Sequence, residues 1–221
     1  MLREIPGAIG RLEVLLDEPP ALKGVTSEGL VAAGASRGVR AAVVVAHPHP
    51  QYGGTMHTKV VYQTAKALAR IGCAALRFNF RGVGVSEGTY DNGVGEQDDF
   101  RAALDFMHAR YPDAPMWAAG MSFGSRIALT VGPADSRVTT LIGIATALTS
   151  DLSAAQRSPK AKFFIHGERD EICPLKDLRE FYAHASEPKE LVVIDGADHV
   201  FDGKVSEVAD AIEELLGDWS G

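Results

Sequence analysis

The spacing of apolar residues changes part-way along the chain. Up to about residue 46 they form short runs, Arg11–Leu16, Gly29–Gly34 and Arg40–Ala46, punctuated by Pro19-Pro20, Gly24 and Ser36-Arg37-Gly38. Such runs bounded by Gly, Pro and Ser predict strands joined by turns. Beyond them, helical and strand periods alternate. Val61, Ala65 and Leu68 fall at helical spacing within Thr58–Ile71, and Gly72 stops that helix. The run Cys73–Phe80 predicts a buried strand, and Gln97–Ala109 a helix with Phe100, Leu104 and Met107 on one face. Strand, helix and strand follow over Ala114–Gly120, Phe123–Val131 and Arg137–Ala147. Ala161–Gly167 and Glu190–Gly196 read as the last strands, separated by a helix over Leu175–His184. The final helix, Lys204–Leu216, buries Val205, Val208, Ile212 and Leu215. Antiparallel-looking strands followed by βα units predict the α/β class: a mostly parallel twisted sheet of about 7–8 strands with helices on both faces.

Composition narrows the class without changing it. A chain of 221 residues, 46% apolar and 23% charged, fits one domain spanning 1–221 with a large core. A formal charge of -7 argues against nucleic acid, whose binders need a basic face. No apolar run has membrane-spanning length, so no membrane partner is expected. The opening "MLREIPGAIG" lacks the apolar run of a signal peptide, and Cys73 and Cys173 are too few for a disulfide framework. The expectation is a cytoplasmic protein, a monomer or small homo-oligomer acting on a small molecule, with no cofactor.

The chemistry starts at Gly120-Met121-Ser122-Phe123-Gly124, between a predicted strand and a predicted helix. A serine on such a turn projects its hydroxyl above the sheet, and the tight backbone requires small residues two before and two after. The amide of Phe123 then faces the place where an oxyanion would form. Serine needs a base, and the base needs an orienting acid. In this architecture acid and histidine follow the nucleophile in that order, each beyond a strand's carboxyl end. Asp170 follows the strand ending "FFIHG", and His199 follows the strand ending "LVVID". Glu168 and Glu171 read as solvated loop charges, Asp195 as a turn residue before Gly196, and Asp198 as a further neighbour of His199. His166 reads as structural, and His108 and His184 as ordinary helix residues. The expected reaction is attack of Ser122 on a carbonyl carbon, with His199 taking its proton and Asp170 holding the imidazole. Activity should fall as His199 becomes protonated.

Four motifs, "HPHPQYGG", "RFNFRGVGVSEG", "DNGVGEQD" and "GMSFG", occur in that order. Through them the chain, from about Arg40 to His199, resembles the small lidless bacterial serine hydrolases of the α/β-hydrolase superfamily. The resemblance implies that fold and hydrolysis of small carboxylic esters, with thioester or dienelactone-type lactone hydrolysis as the alternative. The segment 22–40 is longer than the family pattern and suggests an added edge strand or hairpin. "RGVGVSEG" imitates a dinucleotide fingerprint, but Glu87 occupies the third glycine's place and no helix starts at once. It reads as a turn beside the site, with Arg81 pairing with an acid such as Asp91 or Glu96. Only "ALTSDLSAAQRSPKAK" separates the strands where a cap would insert, room for one short helix, so no cap domain and short-chain substrates are expected. Tyr52, Met121, Phe123 and Phe201 are the candidate apolar lining.

His47, His49 and His57 crowd into the loop after the strand ending at Ala46. Three imidazoles suggest zinc, but His47 and His49, two apart on an extended segment, face opposite ways. The expectation is no metal: His47 fixes the loop and His57 starts the next helix. In α/β hydrolases this loop holds the second oxyanion donor. Pro48 and Pro50 lack an N–H, which leaves His49, Gln51, Tyr52 or Gly53, with His49 and Tyr52 the leading candidates.

Overall fold

The computed structural model describes residues 3–20 and 39–219. Eight strands lie in one sheet: β1 (Glu4–Pro6), β2 (Arg11–Asp17), β3 (Ala42–Ala46), β4 (Ala74–Phe78), β5 (Met116–Met121), β6 (Val138–Ile144), β7 (Ala161–Gly167) and β8 (Lys189–Ile194). Their spatial order is β1-β2-β4-β3-β5-β6-β7-β8. β1 and β2 form an antiparallel hairpin, and β2 also pairs antiparallel with β4; all other pairs are parallel. The helices are α1 (Lys59–Arg70), α2 (Gly95–Arg110), α3 (Phe123–Val131), α4 (Ser153–Arg157), α5 (Leu175–Ala183) and α6 (Val205–Leu216).

The local chemistry explains these elements. β3 is the unbroken apolar run AVVVA, buried at every position, as expected of a parallel strand covered on both faces. Alternate residues feed two cores. Ala42, Val44 and Ala46 join Phe100, Leu104 and Met107 of α2 and Ile127 and Leu129 of α3 on one face. Val43 and Val45 join Val60, Val61 and Leu68 of α1 and Val208 and Ile212 of α6 on the other. At the antiparallel edge, the buried Arg77 of β4 pairs with Asp17 of β2 at 2.8 Å, and Lys66 of α1 reaches the same carboxylate at 2.6 Å.

One strand was not anticipated, and two expectations need correction. β1 did not announce itself: three residues, EIP, are too few to show a period. Arg81 pairs with neither Asp91 nor Glu96; its guanidinium binds the buried Asp99 of α2 at 2.7 Å. Glu96 is held elsewhere, accepting the Asp91 and Gly93 amides at 2.8 and 2.7 Å. His57 does not start a helix; it lies exposed in the turn before Thr58, the N-cap of α1. The expected strand Gly29–Gly34 and the long segment 22–40 fall largely outside the described residues.

The chain runs from β3 to β4 on one side, then returns across β3 to β5 on the other. At such a reversal the loops leaving β3 and β5 diverge, and a crevice opens beyond their carboxyl ends. Between β6 and β7 stands only the five-residue α4, too small to roof that crevice.

Candidate active site

Ser122 stands at the top of β5 with φ 53° and ψ -113°, a backbone state that costs a non-glycine residue free energy. The two flanking glycines make the turn possible. A Cβ at Gly120 would lie 2.3 Å from the backbone of Gly124, and one at Gly124 would lie 2.5 Å from the carbonyl oxygens of Ala46 and His47. The start of α3 is therefore pressed against the loop leaving β3. The amide of Phe123, the first residue of α3, has no helical partner and carries the positive end of the helix dipole.

Three residues from three loops converge here. His199 Nε2 lies 2.9 Å from Ser122 Oγ, and His199 Nδ1 lies 2.8 Å from Asp170 Oδ2. With Nδ1–H donating to the carboxylate, Nε2 is left to accept the serine hydroxyl. The other oxygen of Asp170 accepts the amides of Ile172 and Cys173 at 2.9 and 2.7 Å. Burial pushes the Asp170 carboxyl up. The hydrogen bonds from His199 and the Cys173 amide, with the nearby His199 and His166 rings, outweigh burial and hold it below its ordinary value. His166, fully buried, sits 2.6 Å from the Cys173 carbonyl, so it ties β7 to the loop carrying Asp170.

The loop leaving β3 is a scaffold of backbone hydrogen bonds. His47 is buried; its Nε2 accepts the Phe80 amide at 3.1 Å, which leaves Nδ1–H to donate to the Pro48 carbonyl at 2.6 Å. Burial pushes its pKa down to about 4 against the pull of that carbonyl. His49 accepts the Gln51 amide on Nδ1 at 3.2 Å and meets Tyr90 Oη through Nε2 at 3.1 Å. The Tyr52 and Gly54 amides both bond the His49 carbonyl at 3.1 Å. The tight turn at Gly53, with φ 80°, needs glycine's left-handed conformation.

A cavity of about 880 Å³ opens over Ser122. His49, Tyr52, Tyr90, Met121, Phe123 and His199 are among its lining residues.

A family model described as Serine aminopeptidase, S33, matches residues 37–164, more than half of the chain. The chain belongs to this family, within the α/β-hydrolase superfamily. Its fold matches an α/β serine hydrolase homologue from Coxiella burnetii with TM-score 0.83 and 35% identity, covering 96% of this chain and 95% of that one. It also matches a serine hydrolase without a lid from Xanthomonas campestris, with TM-score 0.84 and 32% identity, over 98% of this chain and 93% of that one. An uncharacterized protein of Rickettsia prowazekii is 36% identical over 78% of this chain and 77% of its own length.

Two expected site residues of the hydrolase are corrected. Phe201 does not line the cavity: it is fully buried in the core shared with α1 and α6. The loop turns after His199, with φ 56° at Phe201, and the ring is sent inward. Tyr52 is not an open backbone donor, because its amide closes the turn onto the His49 carbonyl. The same turn engages the Gln51 amide. The amides of His49 and Phe123 have no protein acceptor among the described residues. The Tyr52 side chain does line the cavity and is 86% exposed.

Both ring nitrogens of His47 and of His49 are engaged as described, so neither imidazole is arranged as a metal ligand. Asp170, Cys173 and His199 do bring three potential ligand atoms within 4.8 Å of one another. The fit to a metal is poor: burial, then Asp170 and Asp177, push the Cys173 thiol up to about 12 and disfavour the thiolate a metal would need. Sequence reasoning missed Tyr90, Asn92 and Arg126, which also line the cavity. Arg126 carried a usable signal, since it lies one helical turn beyond the serine. No helix among the described residues is long and apolar enough to cross a membrane.

Proposed function

We propose that the protein hydrolyses small carboxylic esters through an acyl-enzyme, with Ser122 as nucleophile, His199 as general base and then acid, and Asp170 as its orienting partner. The observation that carries this is the continuous chain from Ser122 Oγ to His199 Nε2 at 2.9 Å and from His199 Nδ1 to Asp170 Oδ2 at 2.8 Å, at the mouth of a cavity. As Ser122 attacks, its proton passes to Nε2, and the imidazolium is stabilised by the buried carboxylate. The tetrahedral oxyanion is received by the amides of Phe123 and His49, the latter chosen over Tyr52 because it lacks a competing acceptor. Collapse expels the alcohol, protonated by His199. Water then takes the alcohol's place and releases the acid by the same steps in reverse.

Two features favour esters over aminopeptidase substrates. No carboxylate stands on the cavity wall among the described residues to hold a free α-ammonium, and the cation there, Arg126, repels one. Among the described residues only the five-residue α4 stands between β6 and β7, where a cap would insert, and this favours short acyl chains. The test is a fluorophosphonate label together with a chain-length series of p-nitrophenyl esters and an amino-acid p-nitroanilide. Label on the wild type, none on Ser122→Ala, and turnover falling from butyrate to palmitate are expected. Preference for palmitate or for the anilide would overturn the substrate assignment, and a label that survives Ser122→Ala would overturn the nucleophile.

A further inference from the structure

Arg126 sits on α3 one turn beyond Ser122 and lines the same cavity. Its guanidinium is held by packing. The carbon centre lies 4.8 Å from the centroid of the Phe123 ring. Against its edge lies Gly93, where a Cβ would come within 2.5 Å of Nη2 and 3.2 Å of the guanidinium carbon. Gly93 also has φ 86°, so this close approach and the backbone both call for glycine.

Among the described residues no acid pairs with this guanidinium. Elsewhere the buried and half-buried guanidiniums are engaged: Arg77 by Asp17, Arg81 by Asp99, Arg110 by Glu18, Arg137 by Asp105 and Asp135, and Arg40 by the Gly217 and Trp219 carbonyls. Arg126 makes no ion pair and no side-chain hydrogen bond to the described residues. Glu96, the acid whose charge is felt beside it at His49 and Tyr90, has both oxygens engaged by the Asp91 and Gly93 amides. A cation fixed in place, partly desolvated and unpaired in a chain of net charge -7 is an arrangement that binds an anion.

Tyr90 adds a neutral donor. Because His49 Nδ1 accepts the Gln51 amide, its Nε2 carries the proton and donates to Tyr90 Oη. The phenol hydrogen is therefore directed away from His49, and Tyr90 lines the cavity alongside Arg126. One planar guanidinium with one hydroxyl suits a singly charged, planar carboxylate.

We propose that Arg126, helped by the Tyr90 hydroxyl, binds a carboxylate on the substrate, so that the substrate class is the half-ester of a dicarboxylic acid. This rests on the serine-hydrolase reading above. Arg126 lies four positions after Ser122, a backbone rise of about 6 Å along α3, and adipate, with a butylene chain between its carboxyls, sets the free carboxylate several bonds from the scissile carbonyl.

The test compares monoethyl adipate with diethyl adipate by proton release, in the wild type, Arg126→Gln and Arg126→Lys. Binding of both esters to Ser122→Ala and to the Ser122→Ala/Arg126→Gln double variant is measured by calorimetry. The wild type should favour the half-ester in kcat/KM by tenfold or more, and added salt should shrink that ratio. Arg126→Gln should lower the ratio at least tenfold, and Arg126→Lys should retain part of it. Ser122→Ala should bind the half-ester more tightly than the diester, and the double variant should lose the difference. Turnover of the diester with the same ratio in wild type and Arg126→Gln overturns the carboxylate site and leaves the hydrolase reading standing. Arg126-dependent binding of the half-ester without turnover of either ester does the reverse. Neither binding preference nor turnover overturns both.

Discussion

Two loops of this hydrolase leave carboxyl ends of the sheet with a histidine near the top, and they use it in opposite ways. After β3, His47 has both ring nitrogens bonded to backbone, the Pro48 carbonyl and the Phe80 amide. After β8, His199 has both bonded to side chains, Asp170 and Ser122. A backbone partner cannot exchange a proton usefully, so the first imidazole is locked in one tautomer and holds a loop. A carboxylate and a hydroxyl can follow a change of charge, so the second can cycle. The identity of the partners, more than the residue type, divides scaffold from chemistry.

The contrast is broken most sharply by exchanging losses. His199→Ala should lower kcat by about 10⁴-fold or more while the melting temperature stays near that of the wild type, since removing a triad member destroys the unit. His47→Ala should do the reverse, a large loss of stability with residual fluorophosphonate labelling in the folded fraction. Retained activity in the first variant would remove the base from the proposed mechanism. Within the β8 loop, Phe201→Ala should cost about 3–5 kcal/mol in urea unfolding, as expected for a buried aromatic, with KM little changed. A raised KM at native stability would return Phe201 to the cavity wall.

Acid should weaken the β3 loop specifically. Burial lowers His47 from an ordinary 6.5 to about 4, so the folded state binds its proton less readily than the unfolded chain. The stability this group contributes is complete above pH 6.5 and is lost as pH falls toward 4, by up to about 3 kcal/mol. Urea unfolding at pH 7 and pH 4.5 in the wild type and His47→Gln should show that extra slope only where the histidine is present. Gly124→Ala, which presses on the Ala46 and His47 carbonyls, should cost about 1–3 kcal/mol and reduce kcat by displacing the Phe123 amide. The smallest effect belongs to Tyr52→Phe. With its ring exposed and its turn made by backbone, stability should move by less than about 0.5 kcal/mol in thermal unfolding.

Much of this was legible in the chain. The strand and helix periods located α1, α3, α5 and α6 to within a residue or two, because each buries one face against a continuous sheet. Ser122, Asp170 and His199 could be chosen because order along the chain and position after a strand constrain them independently. Arg81 was misassigned for the opposite reason. Its partner Asp99 lies 18 positions away on α2, and sequence offered nearer acids with equal claim. Phe201 failed because a single left-handed residue reverses a side chain's direction without altering any pattern of apolar positions.

The sequence alone determined the layering, since alternation of apolar periods dictates which elements must be covered, and it named the three residues that the fold brings into one hydrogen-bonded chain. It also contained Arg126, Gly93, Glu96 and Tyr90, but nothing in their spacing related them. Only the tertiary structure decided that Glu96 is held by backbone amides, that Gly93 leaves room for a guanidinium, and that Arg126, with no acid partner among the described residues, shares a cavity with Ser122. The physical reason is that a charge's partner is set by distance in three dimensions and by which competing donors have already been satisfied.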